Sequence, residues 1–232
     1  MKIAVLGTGM VGHAIGSKLI SGGHEVVVGS RAVDSEAARQ WLRSVSGNGR
    51  AGTFADAAAF AEIVFDCTNG ANSLAALRQA GASNMNGKIL IQISNPLDFS
   101  HGMPPSLTVC NTDSLAEQVQ REFPKVRLVK ALNTMNVKVM VEPSLVPGDH
   151  TLFICGNDEA ARSEVGDHLC YWFGWRRENI LDLGDITAAR GLEMFLPLWL
   201  RIWGALGKVP FNIHVVKSDG VQSKATPERN IA

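Results

Sequence analysis

Six residues near the start of the chain constrain its fold more than any others: Gly7-Thr8-Gly9-Met10-Val11-Gly12. They follow a short apolar run at residues 3–6 and lead into residues 12–20, where Ala14, Ile15 and Leu19 recur at helical spacing. A G-x-G-x-x-G run in that context, between a strand and a helix, has a physical reading. Gly7 permits a tight turn, Gly9 lets the backbone approach a diphosphate, and Gly12 lets helix and strand pack closely. The free N–H groups at the helix start then face the anion.

The pattern continues as alternating strands and helices. Residues 26–28, 63–65 and 89–93 are apolar runs without alternation, as expected of strands covered on both faces. Asp34 or Ser35 can cap a helix running to about residue 45, and residues 72–80 read as a helix closed by Gly81. Thr53-Phe54 is a weak, short strand candidate. Residues 98–105 read as a loop, 114–121 as a helix, 126–129 as a strand, and 131–148 as an irregular polar stretch. A strand at 151–155, a helix from Asp158 to about Trp172 and an extended run at 180–183 follow. A long helix spans 187–206, which Pro197 should kink or break. Residues 211–216 look like a last strand, and the polar tail from Ser218 is expected to be loosely ordered.

This order predicts an α/β protein: a Rossmann-type doubly wound parallel sheet with a small C-terminal α/β domain. The expected division is residues 1–148 for dinucleotide binding and 149–232 for an acceptor cleft and dimerisation. The 22 basic and 22 acidic side chains cancel, which argues against nucleic acid as a partner. The apolar stretch at 192–206 is interrupted by Glu193 and Arg201 and falls short of the roughly 20 residues a membrane span needs. No membrane anchor is expected, and a cytoplasmic location is. Cys67, Cys110, Cys155 and Cys170 form no C-x-x-C pair and read as reduced thiols.

Two further groups carry chemistry. Gly29-Ser30-Arg31 ends the second strand, where NAD-binding chains usually place a carboxylate for the ribose hydroxyl. A hydroxyl and a guanidinium there suit a 2′-phosphate, so NADP(H) is expected over NAD(H). The carboxyl ends of the fourth, fifth and sixth strands carry Cys67-Thr68-Asn69, Ser94-Asn95-Pro96 and Leu132-Asn133-Thr134-Met135. Ligands of open parallel sheets sit outside those ends. Small polar residues there can bond ribose and carboxamide, although the same residues also favour turns. No triad, zinc motif or carboxylate pair emerges, and the six histidines are scattered; a structural role is expected for each.

The blocks GTGMVG, VVVGSR, KALNT, FICGNDEAAR and LDLGDITAARGLEMFLPLWL together resemble the NADPH:coenzyme F420 oxidoreductases. They are also similar to the oxidoreductase domain of the STEAP metalloreductases. The resemblance runs from Lys2 to about Val216. It implies a homodimer, an NADPH 2′-phosphate on Ser30 and Arg31, and a nicotinamide near residues 132–135. In the deazaflavin enzymes a histidine stands at the site matching Asn133 and an aliphatic residue at that matching Met135. The metalloreductase-like sequences carry Asn there and pass electrons to a flavin.

The expected activity is hydride transfer between NADP(H) and a flavin-like acceptor: coenzyme F420, FMN or FAD. No side chain is assigned as acid or base; Asn133 and Met135 are expected near the nicotinamide. Reduction of a small carbonyl or imine is an alternative, and a non-catalytic NADPH-binding redox sensor is another. Phe195, Leu196, Leu198, Trp199, Ile202 and Trp203 supply more apolar surface than a solvated helix face needs, which suits a dimer.

Overall fold

A computed structural model describes residues 1–218. The elements are, in chain order, β1 (Lys2–Leu6), α1 (Met10–Ser21), β2 (Glu25–Ser30), α2 (Glu36–Ser44), β3 (Gly49–Thr53), α3 (Phe54–Phe60), β4 (Ile63–Asp66), α4 (Gly70–Ala80), α5 (Ala82–Met85) and β5 (Ile89–Gln92). There follow β6 (Leu97–Asp98), β7 (Ser106–Leu107), α6 (Leu115–Glu122), β8 (Arg127–Ala131), α7 (Val137–Val141), β9 (Leu152–Cys155), α8 (Glu159–Phe173), β10 (Ile180–Asp182) and α9 (Ala189–Ala205).

Eight strands form one sheet in the order β10-β9-β8-β5-β4-β1-β2-β3. Every pairing is parallel except β8 with β9. Strand side chains alternate between faces, and both faces are covered. Ile3, Val5, Val26, Val28 and Phe65 pack under α1, α2 and α8. Ala4, Leu6, Val27 and Val64 pack on the other side with α3, α4 and α6. This is why β1, β2, β4 and β5 read as unbroken apolar runs. The segment after residue 149 adds β9 and β10 to the same sheet.

Two sequence expectations need correction, and a third is narrowed. Thr53-Phe54 is not a strand of its own. Thr53 ends β3, and its hydroxyl accepts the Asp56 N–H at 3.1 Å while Asp56 bonds back to the Thr53 N–H, a capping box that opens α3. Residues 211–216 form no strand. Ile213 accepts one bond from the Thr151 N–H at 2.7 Å, and Val215 donates to the Thr151 hydroxyl. A side-chain acceptor there replaces a continuing ladder. Pro197 does not break α9, which runs through it from Ala189 to Ala205. Leu196 and Trp199 on either side are buried and hold the helix in place. The tail expected to be loosely ordered from Ser218 lies, beyond that residue, outside the described residues.

Candidate functional site

The strand order reverses between β1 and β4, and the loops at the carboxyl ends of these strands open a crevice. The β1–α1 loop forms its floor. Gly7 has φ +112°, and a Cβ on it would stand 2.8 Å from the Cys67 carbonyl. A Cβ on Gly12 would overlap the Gly7 carbonyl, whereas one on Gly9 would meet nothing within 4 Å. The glycines thus divide their work: two are needed by the fold, and Gly9 faces open space. Helix α1 begins with Gly9 as its cap, without a side-chain bond and without an acidic residue in its first turn. Its first N–H groups are available to an anion.

Two hollows meet over this floor. One, of about 400 Å³, is lined by Gly7, Thr8, Gly9, Arg31, Phe54, Asn72 and Gln79 among others. The second, of about 300 Å³, is lined by Met10, Val11, Ser94, Asn95, Phe99, Asn133, Met135, Met140, Leu196 and Trp199 among others. Cys67, Thr68 and Asn69 border both, so the two lie side by side along one trough. The first hollow mixes glycine backbone and polar side chains with Phe54, Ala75 and Ala76 around a guanidinium. The second has predominantly apolar walls, and no Asp, Glu, His, Lys or Arg lines it among the described residues.

Of the ligand-site residues singled out from sequence, Gly12, Gly29, Ser30, Pro96, Leu132 and Thr134 line neither hollow. Gly12 is packed beneath the loop. Ser30 is buried at the end of β2, and its hydroxyl donates to the Ala32 carbonyl at 2.5 Å, shaping the turn that presents Arg31. All the others border the trough. Burial and the neighbouring Asp66 charge push the Cys67 thiol well up, so this thiol stays protonated near neutral pH.

Several positioning groups escaped sequence reasoning. Asp66 is fully buried and takes bonds from the Thr68 hydroxyl (2.6 Å), the Thr68 N–H (3.1 Å) and the Ser73 hydroxyl (2.6 Å). It locks the β4–α4 loop at the seam of the two hollows. Gly70 lets the start of α4 press on the Asn95-Pro96 turn, since any Cβ there would overlap the Asn95 carbonyl. Asn133 donates to Asn95 Oδ1 (2.9 Å) and to the Leu192 carbonyl of α9 (3.2 Å), and Asn95 Nδ2 returns a bond to the Asn133 carbonyl (3.0 Å). Beside it Leu132 is held at φ +63°, a left-handed conformation that costs energy for a branched residue and must be imposed by its surroundings.

Comparison with known proteins decides the family. Residues 2–96 match the family described as NADP oxidoreductase, coenzyme F420-dependent. A crystal structure from Arthrobacter sp. FB24, put forward as an F420-dependent NADP-reductase, is 50% identical over 94% of this chain and all of that one, with a TM-score of 0.87. This chain belongs to the F420-dependent NADP oxidoreductase family.

The enzyme is accordingly an NADP-dependent oxidoreductase. It is also 27% identical to the metalloreductase STEAP3 of Rattus norvegicus over 206 residues, and spans 38% of the length of that protein. An imine reductase from Myxococcus stipitatus in complex with NADP+ shares the fold, at 17% identity and a TM-score of 0.63 over 89% of this chain and 63% of its own. No helix of the described residues is long and apolar enough to cross a membrane.

Proposed function

We propose that the enzyme transfers a hydride between NADP(H) and a flavin-like ring, either coenzyme F420 or a flavin, with the two cofactors end to end in the trough. The observation that carries this reading is that the two hollows adjoin at Cys67, Thr68 and Asn69, which border both. The residues suit NADP(H). The free first turn of α1 and the open face of Gly9 can take the diphosphate, and Arg31 can take the 2′-phosphate. The nicotinamide would then reach Asn133 and Met135.

Bound NADPH supplies the hydride and a second ring accepts it. The chain's own task is to hold two flat rings in contact and to exclude water. Met135, Met140, Leu196 and Trp199 do this with apolar surface. Reduction of a carbonyl or imine asks for a proton donor at the developing anion, which the lining described above does not favour.

Stopped-flow mixing of NADPH-loaded enzyme with coenzyme F420, FMN and FAD tests the proposal. Rapid loss of reduced nicotinamide absorbance with at least one ring is expected, and none with simple ketones or cyclic imines. Failure with all three rings rejects it. The homodimer would use the outer face of α9, where Leu198 is 55% exposed near Met194 and Leu206. Light scattering that returns the 24.9 kDa mass of a single chain at micromolar concentration would rule this out.

A further inference from the structure

Behind the acceptor cleft lies a charged pair that hydride transfer does not use. Lys130 Nζ stands 2.8 Å from Glu193 Oε1, and the side chains are 0% and 1% exposed. The ammonium also donates to the Ser94 carbonyl at 2.5 Å and to Gln92 Oε1 at 3.3 Å, so all three of its hydrogens have partners. The carboxylate accepts the N–H groups of Leu115 (2.8 Å) and Ala116 (3.2 Å) at the start of α6, where the helix dipole favours negative charge.

Stability alone is a poor reason for such a pair. Apolar side chains of similar volume often fill a buried place as well or better. What an ion pair adds is direction, because its hydrogen bonds hold only in one register. The partners of this pair are the elements that wall the cleft. Lys130 lies in β8, three residues before Asn133. Ser94, whose carbonyl it grips, borders the cleft after β5. Glu193 lies in α9 next to Leu192, the acceptor for Asn133, and one and two turns before Leu196 and Trp199. Beyond this point α9 packs mainly through apolar contacts of its Leu196, Trp199 and Trp203 with Phe211, Ile213 and Leu97, which specify register weakly.

We propose that Lys130 and Glu193 are positioning residues: they fix the register of α9 against the ends of β5 and β8, set the width of the acceptor cleft, and so govern acceptor selectivity without touching the acceptor. The proposal rests on reading that cleft as the acceptor's.

The test compares the wild-type chain with K130M, E193Q and the apolar replacement K130M/E193L. In the double variant NADPH affinity should stay within about twofold, while the KM for the acceptor ring rises about tenfold or more and the preference among F420, FMN and FAD changes. Hydrogen exchange should quicken in residues 189–199 and stay unchanged in residues 3–20. A double variant with wild-type acceptor KM, wild-type preference and wild-type exchange in α9 overturns the proposal. Should the double variant fail to fold, E193Q keeps the shape, removes the charge and is judged on the same readouts. Wild-type enzyme that reduces none of the three rings rejects the acceptor reading itself, before any variant is compared. Exchange in α9 then decides the positional claim: unchanged protection sinks it and faster exchange upholds it.

Discussion

The two ends of the trough are built by different means. At one end, the wall formed by Gly7, Thr8, Gly9 and Arg31 comes from one β–α–β unit of about 30 consecutive residues, and Phe54 with Asn72 and Gln79 of α4 closes the facing side. In that wall the glycines act by what they lack. The other end is assembled from side chains far apart in the chain: Met10, Phe99, Asn133 and Met135, then Leu196 and Trp199. Its geometry depends on how α9 sits against the sheet. A glycine-built wall tolerates little change of residue type and takes its shape from its own turn. A side-chain-built site can vary its lining but fails when its support shifts.

The largest effects should come where a glycine is needed sterically. Gly12→Ala would force apart the β1–α1 turn; a loss of about 3 kcal/mol or more in stability is expected, measured by chemical denaturation, together with loss of NADPH binding. Gly9→Ala is the matched control, because its Cβ meets nothing in the protein. It should melt like the wild type and still bind NADPH poorly, because the methyl occupies the path of the diphosphate. Gly9→Ala with wild-type affinity would break the division between the ends. Next in size, Arg31→Ala should weaken NADPH by about 10- to 100-fold, the worth of a charge-assisted bond, and leave NADH nearly untouched in the same titration. Equal losses with both nucleotides would remove Arg31 from the 2′-phosphate.

The same contrast explains what could be read from the chain before folding it. The first end was legible because its determinants are local: G-x-G-x-x-G has one backbone solution, and Ser30-Arg31 follows β2 at a fixed distance. Strands buried on both faces were legible as apolar runs. Asp66 was not, because one carboxylate after Ile63-Val64-Phe65 looks like a strand end until Thr68 and Ser73 fold back on it. Gly70 looked like one more loop glycine; only contact with the Asn95 carbonyl gives it meaning. Lys130 and Glu193 are 63 residues apart and each resembles an ordinary surface charge in its own segment. β3 was missed because Gly49, Ala51 and Gly52 carry no strand signal, and its pairing with β2 supplies what propensity does not.

A smaller effect sharpens the contrast from the acceptor side. Phe99 is 49% exposed on the rim of the second hollow. Phe99→Ala should raise the acceptor KM by about three- to tenfold, the worth of a partly buried aromatic contact, with NADPH affinity and melting temperature unchanged. A matching loss of NADPH affinity would show that the two ends are not separable.

The smallest effect is expected from mild acid, and it should reach the far side of the first β–α–β unit, away from the trough, before the acceptor end. His24, buried just beyond α1 with neither ring nitrogen bonded, has its pKa lowered from the usual 6.5, chiefly by burial and then by the N-terminal amine and His168. Its neutral form is favoured in the folded state. The stability it contributes is full above pH 6.5 and is lost as pH falls through that value toward the folded one, because the unfolded chain takes the proton first. The α6–α9 contact at the acceptor end depends instead on Glu117, held below the usual 4.5 mainly by hydrogen bonds from Arg190. Its contribution is full above that value and is lost only as pH falls through the lower, folded one. Between pH 7 and 5 hydrogen exchange should therefore quicken around α1 and Trp172, which packs edge-on against His24, while α6 and α9 keep their protection. His24→Phe should flatten this part of the pH profile, whereas faster exchange in α9 over the same range would place the acid-sensitive group at the acceptor end instead.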